Sequence, residues 1–288
     1  MNYMAPMLST RQVETIVDGL DHPECLCFGT DGAGYAGSED GRLFRFTMSG
    51  NKTVVGSVDG GSIGGICVDA NNVVYDCDYG TLKVHAIRPD RTVREFSTGT
   101  SMRPMRYPNY PVFGHDGQMY ISDSGDFYRA NSTIYMVDGG ETTQAATDGY
   151  HFLNGLAIDG EGRWLYAIES SASCVLRFPI QGKSLGEAEV FVHLPGCVPD
   201  GLAFAESGHV YVACYAPDVI FRVSPAGLAT TLLFDPVADK LNRPTNVAFY
   251  PNSTLLCFSN LGGFTVNVVD VGEHGLPLNY PNIGGGNR

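Results

Sequence analysis

The sequence predicts an all-β fold, a six-bladed β-propeller, on three observations. A short apolar segment recurs six times, each recurrence is followed by further strands separated by tight turns, and glycine and strand-favouring residues are abundant while helix-favouring charged runs are scarce. The segments are Pro-Glu24-Cys-Leu-Cys-Phe, Ile-Gly64-Gly-Ile-Cys-Val, Pro-Asn109-Tyr-Pro-Val-Phe, Leu-Asn154-Gly-Leu-Ala-Ile, Pro-Asp200-Gly-Leu-Ala-Phe and Pro-Thr245-Asn-Val-Ala-Phe. Their numbered residues lie 40, 45, 45, 46 and 45 positions apart. A period of about 40–50 residues is that of a repeat whose units bury their faces only against one another. Residues 1–288 are therefore expected to form one closed unit.

The fifth repeat shows the expected blade most plainly. Gly201–Phe204, Val210–Cys214, Val219–Val223 and Ala229–Phe234 are four strands. The fourth repeats the pattern in Leu156–Ile158, Trp164–Ile168, Val175–Phe178 and Glu189–His193. Turns such as Gly29-Thr-Asp-Gly32 and Gly114-His-Asp-Gly117 supply the positive φ that tight hairpins need. The sixth repeat runs out of chain after its third strand, Thr265–Val271, and a lone strand pattern, Gln12–Val17, precedes the first repeat. That N-terminal strand is expected to complete blade six and close the ring, which removes an open sheet edge. The Gly- and Pro-rich tail Gly275–Arg288 is expected to lie on the surface or move freely.

The net charge of −13 argues against a nucleic acid or an anionic membrane as partner, because either would be repelled. Met1–Gln12 has no basic stretch followed by a long apolar one, so a cytoplasmic protein is expected. The eight cysteines lack paired zinc-ligand spacing, and several fall inside strand patterns as small buried hydrophobes.

The first position of the six segments carries the chemistry. It reads Glu24, Gly64, Asn109, Asn154, Asp200 and Thr245. In a propeller the first strand of each blade lines the central channel, so Glu24, Asn109, Asn154 and Asp200 converge as two carboxylates and two carboxamides. Such residues also cap turns through their own backbone. Four in register, with no sulfur or imidazole, make an oxygen-rich site suited to Ca²⁺, with Mg²⁺ or Mn²⁺ as alternatives; Zn²⁺ would prefer histidine or cysteine.

The motifs Pro23-Glu24, Pro108-Asn109, Asn154-Gly-Leu-Ala and Pro199-Asp200-Gly-Leu-Ala-Phe, with Asp116-Gly-Gln-Met-Tyr-Ile-Ser-Asp123, carry a resemblance. Across about residues 12–271 the chain resembles the SMP-30/gluconolactonase/luciferin-regenerating enzyme family, six-bladed propellers that act as calcium- or zinc-dependent lactonases and esterases. The resemblance implies that Glu24, Asn154 and Asp200 are metal ligands. It implies that Asn109 binds the metal, directly or through water, and touches substrate. Asp200 is then also the candidate general base for a water that opens a lactone or ester. The chain departs from the family pattern in having Tyr110 after Asn109, where an aspartate is common. It also has Tyr107, with Arg106 one place off, where sugar lactonases often have arginine. Tyr107, Tyr110, Phe127, Tyr128 and the nearby His151 make a pocket for a less polar small-molecule lactone or ester. Two other functions fit the same column: a binding or scaffold propeller with structural calcium, and a lyase or isomerase using the same metal on a carbonyl.

Overall fold

The computed structural model describes residues 5–283. Six antiparallel sheets form the blades of a propeller, and the only helical elements among the described residues are two three-residue 3₁₀ turns. None of these is long and apolar enough to cross a membrane. The first strand of every blade touches the first strands of both neighbours, so the six inner strands make a closed wall around the channel. They are Leu26–Phe28, Ile63–Val68, Pro108–Phe113, Leu153–Ile158, Val198–Phe204 and Pro244–Phe249.

The ring closes as the sequence predicts. Glu14–Val17 pairs antiparallel with Thr265–Asp270 and becomes the outer strand of blade six. The chain before it also lies on blade five, where the Met7 and Leu8 amides donate to the carbonyls of Thr231 and Leu232. Blade four carries one strand beyond expectation, Ser184–Leu185, a hairpin extension of Cys174–Gln181. The hairpin glycines Gly32, Gly117, Gly162 and Gly208 all have positive φ, as their turns require.

The core is divided among the blade interfaces. Six apolar clusters lie one between each pair of adjacent blades. Large side chains such as Phe28, Phe178, Phe221 and Phe258 are almost wholly buried there. Each contributes about 1.5–3 kcal/mol relative to an exposed position. No blade could bury these faces alone, so the ring folds as a closed set.

The tail does not behave as an independent surface segment. Residues 275–283 cross one end of the channel as a strap. The Leu276 amide donates to the Phe204 carbonyl at 2.9 Å, the Tyr280 hydroxyl to the Phe28 carbonyl at 2.9 Å, and Ala70 donates to the Pro281 carbonyl at 3.0 Å. Just ahead of the strap, Glu273 anchors the chain by binding Arg222, Ser207 and Tyr211 of blade five. Leu276 and Tyr280 find a partly buried seat over the channel, which composition could not indicate. Residues 284–288 of the expected tail lie outside the described residues.

Candidate functional site

Five of the six inner strands break register at the chemically distinctive position. The irregularities fall at Ile63/Ile66, Pro108/Tyr110, Leu153/Leu156, Pro199/Leu202 and Pro244/Asn246. A bulge bends the strand and re-aims one side chain. Here it does so at Asn109, Asn154, Asp200 and Thr245, and at Gly64 it bends a strand that has no side chain to aim. In blade one the strand begins only at Leu26, so Glu24 sits in the loop leading into it. The backbone is also strained at this end. His22, Phe152 and Arg243, each two residues ahead of the column, have φ of 42°, 57° and 53°.

The glycine of each Asn-Gly and Asp-Gly pair has a packing reason. A Cβ on Gly155 would meet the Asp200 carbonyl at 2.6 Å, and one on Gly201 would meet the Thr245 carbonyl at 2.6 Å. Only a bare Cα lets each inner strand approach the bulge of the next blade. The side chains of Ser122 and Ser170 reinforce this by donating to the carbonyls of Asn154 and Pro199, each at 2.7 Å. Thr245, which occupies the column in blade six, spends its hydroxyl on the Glu24 carbonyl at 2.6 Å.

Glu24, Asn154 and Asp200 are brought together. The Asn154 carboxamide donates to the Asp200 carboxylate and to the Ser170 hydroxyl, the latter at 3.3 Å. Its Oδ1 is thus the atom left for a ligand. Burial, and then the charge of Glu24, push the Asp200 carboxyl well above its usual range, against the Asn154 hydrogen bond. Burial, with Glu39 adding charge, pushes Glu24 up to about 7. Asn109, 4% exposed, occupies the equivalent bulge in blade three, with its carbonyl against Gly65.

This donor set fits a hard divalent cation. Two carboxylates are crowded together with carboxamides, and among the described residues neither Glu24 nor Asp200 forms an ion pair with a basic side chain. Among the described residues no three His, Cys, Asp or Glu side chains gather into a metal cluster. With two carboxylates beside the Asn154 carboxamide, an ion at this end would draw on an amide oxygen as well, as calcium does and zinc rarely does.

An aromatic wall stands beside the carboxylates. Tyr79 and Tyr107 stack face to face, centroids 5.0 Å apart and planes 4° from parallel. Phe152 continues the wall 5.6 Å from Tyr107, and Phe127 lies 5.1 Å from Phe152. Burial, then the charge of Glu24, raises both tyrosine phenols, so they remain protonated. The Asp123 carboxylate fixes Tyr107 by accepting from the amides of Arg106 and Tyr107 at 3.0 and 2.6 Å. Arg103 holds Asp123 at 2.7 Å and Asp148 at 2.9 Å.

Tyr79, Phe152 and this pin were not found by reading the sequence. Tyr79 takes the room left by Gly64, whose absent Cβ would lie 3.2 Å from its ring. A signal for the pin does exist. Asp78, Asp123, Glu169 and Asn260 recur at the ends of second strands, and each accepts an amide from the loop entering its own blade. It is a second periodic column, offset from the first.

Three residues expected in the pocket are placed differently. Tyr110 points away from the carboxylates and down the channel, where its hydroxyl accepts from Asn246 Nδ2 of the opposite blade at 3.2 Å. The bulge at Asn109 sends these two adjacent side chains to different levels. Tyr128 is 88% exposed and meets the wall only edge-on through Phe127. His151 stands at the rim, its amide held by Glu169 at 2.7 Å and its ring 3.4 Å from the same carboxylate.

Residues 91–259, more than half of the chain, match the family model described as the SMP-30/gluconolactonase/LRE-like region. The chain belongs to this family. Asn109, Asn154 and Asp200 fall within the matched stretch, and Glu24 precedes it. The structure is similar to a calcium-binding protein, regucalcin, from Agrobacterium tumefaciens, with a TM-score of 0.79 at 15% identity, covering 96% of this chain and 99% of that one. It is also similar to a gluconolactonase from Xanthomonas campestris, with a TM-score of 0.78 at 16% identity, covering 90% and 89% of the two chains. Likeness at such identity shows the fold. In sequence, the chain is 25% identical over 244 residues to the Arabidopsis thaliana protein strictosidine synthase-like 8, covering 73% of this chain and 64% of that protein. The chain spans less than two thirds of the length of the curated relatives it matches.

Proposed function

We propose that this member of the family is a divalent-metal-dependent hydrolase of a lactone or related ester, with a flatter and less polar substrate than a sugar lactone. The observation that carries the reading is the meeting of Glu24, Asn154 and Asp200 beside the parallel Tyr79–Tyr107 pair. Glu24, Asn109, Asn154 and Asp200 are the residues that would hold the cation, calcium before magnesium, manganese or zinc. When bound, the ion supplies Lewis-acid polarisation of the substrate carbonyl.

The remaining chemistry belongs to side chains of the chain. The tyrosine pair and Phe152 bind a planar substrate body and keep water off that face. Asp200 accepts the proton as a water adds to the carbonyl carbon. The ring C–O bond then breaks, and the leaving oxygen takes up the proton. Arg103 and Asp123 act as positioning residues by fixing the loop that carries Tyr107 and leads into the strand of Asn109. The partner in this reading is a small molecule in a soluble, cytoplasmic setting, with neither nucleic acid nor membrane involved.

The test is a panel of polyhydroxy lactones, aryl-substituted lactones and aryl esters. It is run on chelator-treated protein and again after calcium, magnesium, manganese or zinc is restored. The expected result is turnover of the aryl substrates, lost with chelator and restored by calcium. Absence of hydrolysis across the panel with every metal overturns the reading.

The names of the curated relatives refer to a synthase. They favour a second reading, in which the same acid pair and aromatic wall act on a carbonyl compound without hydrolysis. Metal-dependent binding of aryl carbonyl compounds with no turnover of any lactone or ester would favour it over the first.

A further inference from the structure

The channel has a second chamber that the proposed reaction does not use. Tyr110 reaches from blade three to Asn246 of blade six, on the opposite side of the ring, and crosses the channel beneath the carboxylates. Below this bridge is a cavity of about 140 Å³. All six inner strands line it, and Leu276, Pro277, Leu278, Asn279 and Tyr280 of the strap form its floor.

Its shape follows from one column of the repeat, three residues after the site column. That column reads Cys27, Cys67, Val112, Ala157, Ala203 and Ala248. In every blade this small side chain is more exposed than the larger apolar residues on either side of it. The large neighbours fill the blade interfaces, and the small column leaves the axis open. No Asp, Glu, Lys or Arg lines the space. Burial raises the thiols of Cys27 and Cys67 well above their usual range, so both are uncharged. A charged ligand would lose its hydration here against a mostly apolar wall, in which His115, Asn279, Tyr110 and Tyr280 are the polar side chains.

We propose that this lower chamber binds one small, uncharged, hydrocarbon-like molecule about the size of benzene. An apolar protein cavity of about 150 Å³ takes up benzene or xenon, and the two volumes correspond. The Tyr110 bridge separates this ligand from the upper site. The strap, held through hydrogen bonds to Phe28, Gly114 and Phe204, forms the underside of the chamber.

The experiment uses the intact chain, with benzene as the solution probe and xenon as the diffraction probe. Benzene is expected to bind saturably with 1:1 stoichiometry and to raise the melting temperature, whereas benzoate does neither. Ala203→Leu, which fills the chamber, should abolish the benzene-induced shift. Cys67→Leu tests the same point from blade two should the first variant fold poorly. A crystal of the wild-type protein under xenon should show a single xenon between Tyr110 and the strap. Absence of xenon there, or a benzene shift that persists in a folded filling variant, overturns the proposal. These readouts do not depend on chelation or on turnover, so the chamber and the proposed reaction fail or stand separately.

Discussion

The two ends of one channel are built from the same six strands and have opposite chemistry. At the upper end the column of Glu24, Asn109, Asn154 and Asp200 carries hydrogen-bonding groups and charge, with the last three on bulges and Glu24 on the loop into its strand. At the lower end the column of Cys27, Cys67, Val112, Ala157, Ala203 and Ala248 gathers small apolar groups on regular strand. Three residues separate the two columns. A repeat architecture can thus place distinct environments about 10 Å apart along its inner strands by changing one position per repeat, with the ring doing the gathering. The contrast also shows where each end draws its order. Charged pins fix the upper loops, whereas a strap closes the lower end.

Substitutions can break this contrast at either end. The largest effect is expected for Asp200→Asn, which keeps shape and removes the proton acceptor. In a steady-state assay it should lower kcat by about 10²–10⁴-fold while the fold is retained. An unchanged kcat would remove Asp200 from the chemistry. Next is Arg103→Ala, which leaves Asp123 buried without its partner. Breaking such a pair costs about 3–5 kcal/mol, read as a fall in the denaturant midpoint. Because Asp123 also fixes the Tyr107 amide, turnover should fall as well. A variant with full stability would show the pin to be dispensable.

The strap should respond to acid. Burial pushes the Glu273 carboxyl up, but hydrogen bonds from Arg222, Ser207 and Tyr211 outweigh it and hold the group at about 2 instead of 4.5. A depressed folded-state pKa gives stability that is fully present above pH 4.5 and is lost as pH falls toward 2. Glu273→Gln should therefore lower stability at pH 7 by about 1–3 kcal/mol and flatten the acid limb of the stability curve. Wild-type and variant curves that stay parallel between pH 5 and about 2 would refute this linkage. The smallest effect is expected for Tyr79→Leu. Losing an aromatic contact with the substrate ring costs about 0.5–1.5 kcal/mol, so KM for an aryl substrate should rise about two- to tenfold. A matching rise for polyhydroxy lactones would show that the wall does not discriminate between the two.

Much of this molecule is legible in the sequence because the repeat is. The 45-residue spacing, the Asp-Gly turns and the N-terminal strand pattern determine six blades, their strands and the closure of the ring. Each follows from local hydrophobic alternation and turn chemistry. The column of oxygen donors is legible for the same reason, since a residue that recurs at one strand position must recur at one place around the axis. The remaining features depend on contacts between different repeats, which no local pattern records. Tyr79 joins the upper site because Gly64 leaves room for it and Tyr107 of another blade offers a parallel face. Tyr110 leaves the upper site because a bulge at Asn109 turns it toward Asn246 across the ring. The tail, Gly- and Pro-rich by composition, becomes the floor of a mostly apolar chamber because six residues from six blades leave a space that no single segment describes.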